Sequence, residues 1–427
     1  MSGCDGPRYV RLPPLAPPGD STVHPDLSTA YLRWAFLRAA LARGWWLATG
    51  LYLVVVAGLS PFQLILIGVF QGATVVLTEV PAGVLADTVS RRLSLVVAHV
   101  VMGAGMALTG VVSAFWLVVV SQCLWGLGWA FSSGADVAWI TDELDRRDVI
   151  DRVLVAQGRH ELLGAPVGIV AFGMLAWMTT LSTAIVAAGA AMVALGVVVV
   201  ARWPETRHAR PPAGRRLRAS IGIFLDGIAV SRADRGILLV LAATLLVNGG
   251  AEGFGRLFAR RIVVLGLPAR PDPIVWFTAI ALVAGALGAV ALRFVEGRVH
   301  GADVARHTHV AAAAVGAVGL VLFAHAPDAA SAVAASLLVS GIGLPATRVA
   351  STVLVNRRTG ADTRATVHSL LSTSENLGEI VFGLLLAVVA GAASSTVALS
   401  TSAVLLAAAS VVVSRVREHA HVATAPR

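Results

Sequence analysis

Residues 83–95 read Gly-Val-Leu-Ala-Asp-Thr-Val-Ser-Arg-Arg-Leu-Ser-Leu. This short polar stretch separates two apolar runs, 63–86 and 93–113. A bilayer core about 30 Å thick is crossed by roughly 20 apolar residues in a helix, so each run is long enough to span it. The tight connection places Asp87 in the last turn of one helix and Arg91 with Arg92 at the start of the next. A carboxylate at a helix C-terminus faces the negative end of its own helix dipole and needs cationic or amide partners.

Outward from this turn, the chain keeps the same character. Its 427 residues are 57% hydrophobic and 13% charged, against about a quarter charged in soluble proteins. The expectation is an all-α, multi-pass membrane protein. The net charge of +9 comes entirely from Arg, since the chain has no Lys. These arginines are spread over short loops and do not form a basic domain, which argues against nucleic-acid binding. Cys4 and Cys123 are the only cysteines and make no disulfide framework or metal cluster.

Twelve spanning runs are predicted, at 31–57, 63–86, 93–113, 115–138, 158–178, 182–202, 236–258, 274–294, 308–326, 331–354, 365–390 and 396–414. Residues 1–30, rich in Pro, read as a disordered cytosolic tail, and 416–427 as a second one. The connection 203–235 divides the runs six and six, giving an N-terminal bundle over 31–202 and a C-terminal bundle over 236–415. Within the connection, apolar residues at helical spacing over 217–230 beside Arg215, Arg216 and Arg218 suggest an amphipathic helix on anionic lipid. Arg91, Arg92, Arg146, Arg147, Arg152, Arg357 and Arg358 all fall on one side if the N-terminus is cytosolic, which is a positive-inside pattern for the plasma membrane with both termini inside. Arg260, Arg261 and Arg270 are the exception, near the outer end of the seventh run.

The opening stretch resembles the major facilitator superfamily, whose loop between helices 2 and 3 carries Gly-x-x-x-Asp-Arg-x-Gly-Arg-Arg. Gly83, Asp87, Arg91 and Arg92 match, while Thr88 stands where the family favours Arg and Ser90 where it favours Gly. The resemblance implies two six-helix bundles about a midplane site, alternating access and no cofactor beyond an ion gradient. It also implies a gating role for Asp87, Arg91 and Arg92. Glu79, Gly83 and Asp87 recur at four-residue steps, so they share a helix face, and that face is expected to pack against the other half at the inner gate.

Charged groups within spanning runs cost roughly 2.5–3.5 kcal/mol each on insertion scales, so each is a candidate for function. In the first run Arg43 precedes Gly44 and is a candidate for an anionic group or a carboxylate partner. Asp136 follows the small residues Ser132, Ser133 and Gly134, and Ser133-Gly134-Ala135-Asp136 resembles an efflux subgroup of the superfamily. Gln122 stands where the proton-coupled exporters often have Arg. Gly164, Pro166 and Gly168 form a loose version of the exporters' Gly-Pro motif, and a bend is expected there. In the seventh run Asn248, Glu252 and Arg256 lie among four glycines, and local unwinding around a site is expected.

Glu375, Asn376 and Glu379 fall within two turns of the eleventh run, and both carboxylates share a face. Like charges one turn apart in a low dielectric do not both ionise cheaply. Glu375, and after it Glu379, are therefore the expected proton-coupling groups, with Arg348 in the tenth run able to hold one of them charged. No phosphate-binding loop, zinc spacing or catalytic triad is visible, so neither an ATP-driven pump nor an enzyme is expected. The Trp-bearing first and fourth runs (Trp45, Trp46, Trp125, Trp129) suit lipophilic or amphipathic cargo. The reading is a monomeric secondary carrier that moves small molecules against protons among membrane lipids, most simply an exporter. Proton-coupled uptake, or a receptor or scaffold without transport, are its rivals.

Overall fold

The computed structural model describes residues 25–207, 232, 234–268, 270–296 and 301–416. The amphipathic segment expected at 217–230 and both tails, apart from 25–30 and 416, lie outside the described residues. The described chain is helical with no strand. Its helices are α1 Pro25–Val55, α2 Pro61–Thr88, α3 Arg91–Thr109, α4 Phe115–Ser132, α5 Ala135–Leu144, α6 Arg147–Met178 and α7 Leu181–Arg202. After the 203–234 connection come α8 Arg235–Leu265, α9 Pro273–Glu296, α10 Ala302–Ala324 and α11 Ala329–Leu337. A π-helical segment, Leu338–Gly343, leads into α12 Leu344–Arg358, followed by α13 Ala361–Ala392 and α14 Ser395–Ser414.

Eleven helical stretches among the described residues are long and apolar enough to cross a membrane, taking α4 with α5 and α11 with α12 as single passes. The twelfth pass is α1. Its 31 residues measure about 45 Å at 1.5 Å per residue, but Arg33, Arg38 and Arg43 lower its apolarity. α1–α7 pack chiefly on one another, as do α8–α14.

The core explains how the two groups meet. One buried cluster contains residues of both, among them Leu59, Leu64 and Ile65 of the first and Phe254, Leu257, Leu386 and Ala390 of the second. A second cluster, with Ile237, Val240, Leu354, Val367 and Val413, belongs to the second group alone. Cross-group packing therefore sits toward the end that carries the α1–α2 loop. There Val69 lies 3.0 Å and Ile380 3.3 Å from the Cβ positions of Gly383 and Gly72, and Phe62 lies 3.3 Å from that of Gly391.

Two helices depart from regularity. The fourth pass breaks at Ser133 and Gly134, the latter at φ 74°, a conformation that costs glycine little. The tenth pass loosens into the π segment, where Gly343 approaches Gly316 of α10; π turns are frequent at functional sites. The glycine-rich α8, in contrast, runs unbroken from Arg235 to Leu265. Unwinding was expected there, but its glycines serve contact. A Cβ at Gly250 would meet the Ser402 carbonyl at 2.8 Å, and one at Gly249 would meet Phe382. The interruption falls instead in the fourth pass, in front of Asp136.

Two of the arginines that broke the positive-inside pattern also find an explanation. α8 reaches Leu265, beyond the expected end of the seventh run at 258, so Arg260 and Arg261 lie within the helix. Arg261 Nη2 donates to the carbonyls of Ala324 and Ala326 at 2.9 and 3.1 Å, and Arg260 Nη1 to that of Leu59 at 3.4 Å. Ala324 ends α10, so the guanidinium satisfies free carbonyls at the negative end of a helix dipole.

Candidate transport site and gates

Among the described residues, the turn between α2 and α3 is held by the first group and by the start of the connection that follows it. Ser90, at φ −172°, caps α3 by accepting from Leu93 N at 2.9 Å. The extended backbone removes any need for glycine at this position. Ser90 Oγ also donates to Glu205 Oε2 at 2.5 Å, and Glu205 Oε1 accepts from Arg92 N at 3.1 Å. Arg92 Nη1 donates to the Trp203 carbonyl at 2.9 Å. Arg91 Nη1 donates to the Ala138 carbonyl at 2.7 Å, pairs with Asp142, and lies 3.5 Å from Asp87 through Nη2. Thr88, standing where the family favours Arg, bonds its own helix at Val84 O.

At Gly83 and Glu79 the face expected to meet the other half at this end touches no described residue of that half. Nothing lies within 4 Å of a Cβ on Gly83, and Glu79 meets Ser133 of its own group at 3.5 Å. The closed end is the opposite one. There Arg256 Nε donates to Glu252 Oε1 at 2.7 Å, and Arg256 Nη2 donates to Gln71 Oε1 of α2 at 2.6 Å. The guanidinium also sits 5.5 Å from the centre of the Trp46 ring, a cation–π contact. Gly68 of α2 admits this cluster, since a Cβ there would overlap Glu252 Oε1.

Glu379 lies one turn from Glu375, in the field of Glu252, Arg256, Glu375 and Arg348. It has no ion pair or hydrogen bond among the described residues. Arg348, one turn beyond the π segment, reaches Glu375 only at 3.9 Å, and its side chain is 70% exposed. Arg43 is exposed and likewise unpaired among the described residues, although it feels the charges of Arg348 and Glu161. Asn248 Nδ2 donates to Thr244 O of its own helix, and Asn376 is partly buried.

Asp136 occupies the first turn of α5, where the helix dipole favours a carboxylate. It is buried, accepts from Val137 N at 2.9 Å, and lies 3.9 Å from Arg38 Nη2. The same nitrogen is 3.9 Å from Glu161 Oε1, and Arg38 stacks over Trp34 at 4.9 Å and Trp129 at 5.6 Å. Trp34 Nε1 donates to His99 Nε2 at 2.9 Å, while His99 Nδ1 contacts the Leu95 carbonyl at 2.6 Å. That pairing places the ring proton on Nδ1 and leaves a neutral packing histidine. Sequence reading passed over Arg38, Gln71 and Glu161 as site residues. The four-residue step from Asn248 to Glu252 to Arg256 marked one face of α8, but nothing in the sequence pairs that face with Gln71.

Gly164 and Gly168 of α6 face α1. A Cβ on either would run into the carbonyls of Phe36 or Ala40, with Pro166 lying between them inside the helix.

With this geometry in view, one family model covers most of the chain. The model of the Major Facilitator Superfamily matches residues 34–383. The chain belongs to that superfamily. Its fold is similar to that of nucleoside transporter NupG (13% identity, TM-score 0.72, covering 91% of this chain and 97% of that one). Peptide transporter POT in complex with sulfate is also similar (14%, 0.70, 91% and 94%). So is a bacterial homolog of the human lysosomal transporter Spinster in an inward-facing and unoccupied conformation (13%, 0.68, 93% and 96%). No curated protein matches the chain by sequence. It is a multi-pass integral membrane protein of a transporter family.

Proposed function

We propose that the chain is a proton-coupled exporter of lipophilic or amphipathic small molecules in the plasma membrane, working as a monomer by alternating access between halves 31–202 and 236–415. One observation carries the reading. The two groups of helices are clasped by Arg256, Glu252 and Gln71 at one end and stand apart at Gly83 at the other, and beyond the clasp Glu379 is left without a partner. Such a carboxylate, shared between two charged pairs, is suited to exchange a proton for cargo. The positive-inside pattern supports an orientation with the open end and both termini toward the cytosol.

Flux in oriented vesicles tests this. Inside-out vesicles with an acidic lumen are incubated with labelled lipophilic and amphipathic compounds outside. Gradient-driven accumulation that Glu379→Gln abolishes, while cargo exchange persists, is expected. Accumulation driven only when the gradient is reversed, with the outside of the vesicles acidic, would make the protein an uptake symporter. Absence of gradient-driven flux for every compound would leave the receptor or scaffold reading.

A further inference from the structure

Four arginines lie along the passage, and two of them are already neutralised. Arg256 is held by Glu252, Gln71 and the Trp46 face, and Arg38 by Asp136, Glu161 and two indole rings. Arg43 and Arg348 are left. Arg43 comes from α1 and Arg348 from α12, so they belong to opposite groups of helices, yet each lies in the other's field. They therefore lie close enough to interact from one group of helices to the other. Arg43 is exposed and has no hydrogen bond or ion pair among the described residues. Arg348 is 70% exposed, with one carboxylate oxygen at 3.9 Å. Two guanidinium groups in one another's field within a membrane protein repel; Arg348 has only the one Glu375 oxygen at 3.9 Å to set against that cost, and Arg43 has no ion pair among the described residues.

The wall beside Arg43 is aromatic. Trp46 lies three residues further along α1, on the neighbouring part of the same face. Its ring meets Trp125 edge-on at 5.4 Å, and Trp125 stacks on Trp129 at 5.6 Å and 12°. Trp129 is 41% exposed. Trp125 Nε1 is buried with no acceptor, a donor whose desolvation is costly until an oxygen meets it.

We infer that Arg43 and Arg348 form a two-sided clamp for an anionic group on the carried molecule, with Trp46, Trp125 and Trp129 receiving its apolar or aromatic body. The cargo is then an amphipathic organic anion, a carboxylate, sulfonate or phosphate ester on an apolar frame. Guanidinium forks bind such oxygens bidentately, and placing the anion between the halves replaces their repulsion with a bridge. The inference rests on the transport reading and narrows its substrate class.

The test uses the full chain, purified in detergent, with 2-naphthalenesulfonate as the anionic probe, 2-naphthylmethylamine as a cation of similar size, and sodium sulfate as an anion without an apolar body. Saturable thermal stabilisation by the sulfonate alone is expected. Arg43→Gln and Arg348→Gln should each weaken it by about tenfold or more, with Arg43→Lys and Arg348→Lys intermediate; the lysine variants and the wild-type comparison of anion with cation serve if a glutamine variant does not fold. Equal stabilisation by the amine, equal stabilisation by sulfate, or undiminished binding in folded Arg43→Gln would each overturn the clamp. Flux separates the two readings. A sulfonate bound as described but never moved across proteoliposomes would sink the carrier and leave the clamp. Flux of cations and neutral compounds with no preference for anions would sink the clamp and leave the carrier.

Discussion

Gln71 of α2 accepts a 2.6 Å hydrogen bond from Arg256 of α8, joining the two groups of helices well inside the passes, in the half nearer the α1–α2 loop. The same guanidinium is committed to Glu252 at 2.7 Å and to the Trp46 face, so one residue ties α1, α2 and α8 together. A charge-assisted bond of this kind is worth roughly 1.5–3 kcal/mol, enough to set which end of a two-state carrier is shut.

The closed end can be trapped covalently. Phe62 Cβ lies 3.5 Å from where a Cβ on Gly391 would be, inside the range of about 3.5–4.5 Å that a disulfide spans. With Cys4 and Cys123 replaced by Ser, Phe62→Cys with Gly391→Cys should cross-link on mild oxidation and stop transport, and reduction should restore it. Adding Gln71→Leu is expected to slow the cross-link several-fold. An unchanged rate would mean that apolar packing, and not the Arg256 clasp, keeps this end shut.

Gly83 reports on the other end. With nothing within 4 Å of its Cβ position, Gly83→Ala should leave the thermal midpoint unchanged or slightly raised, because Ala is favoured over Gly inside a helix by up to about 1 kcal/mol. Transport should nonetheless fall, since alternation must bring the opposite helices onto this face. Measuring both in one preparation is decisive, and full flux in Gly83→Ala would show that nothing closes there.

How far the sequence reached depends on the range of the interactions. The membrane passes were visible because apolar length is a local property, and the turn at 83–95 because its charges punctuate two such runs. Even Glu252 with Arg256 was legible, being one turn apart on one helix. Gln71 was not, because its partner is 185 residues away and an amide in an apolar run gives no sign of what it will meet. The break before Asp136 was misplaced for a related reason. Glycines that allow a helix to unwind are the same residues that let helices touch, and in α8 the neighbouring helices α13 and α14 claimed them. Arg43 was legible as a charge in an apolar run, but its lack of a partner is a three-dimensional fact.

Ser90 combines two roles that glycine at this position would lose. Its hydroxyl caps α3 through Leu93 N and donates to Glu205. Ser90→Ala should lower stability by about 1 kcal/mol for the cap and by a further share for the lost hydrogen bond to Glu205. Ser90→Gly should cost less of the capping share. Thermal midpoints of the purified variants check this, and Glu205→Gln, which keeps an acceptor, should fall between wild type and Ser90→Ala. A midpoint unmoved by Ser90→Ala would assign the turn's rigidity to Arg91 and Arg92 alone.

The contact between α6 and α1 yields a sharp contrast between two glycines of one helix. At Gly168 an added methyl would overlap the Ala40 carbonyl oxygen and lie 2.6 Å from the Ala40 Cα, whereas at Gly158 it would meet nothing within 4 Å. The atoms in the way belong to the backbone, so no side-chain rotation relieves the clash and α1 must shift bodily. Overpacking of this kind costs typically about 1–3 kcal/mol. Moving α1 would also carry Arg43 away from Arg348 and Trp46 away from Arg256. Gly168→Ala is therefore expected to lower the thermal midpoint and abolish transport together, and Gly158→Ala to leave both intact or raise the midpoint through its helix preference. Size-exclusion profiles and midpoints of the two variants in one detergent settle the comparison; equal behaviour would mean that the close approach of α6 to α1 does not hold the passage in shape.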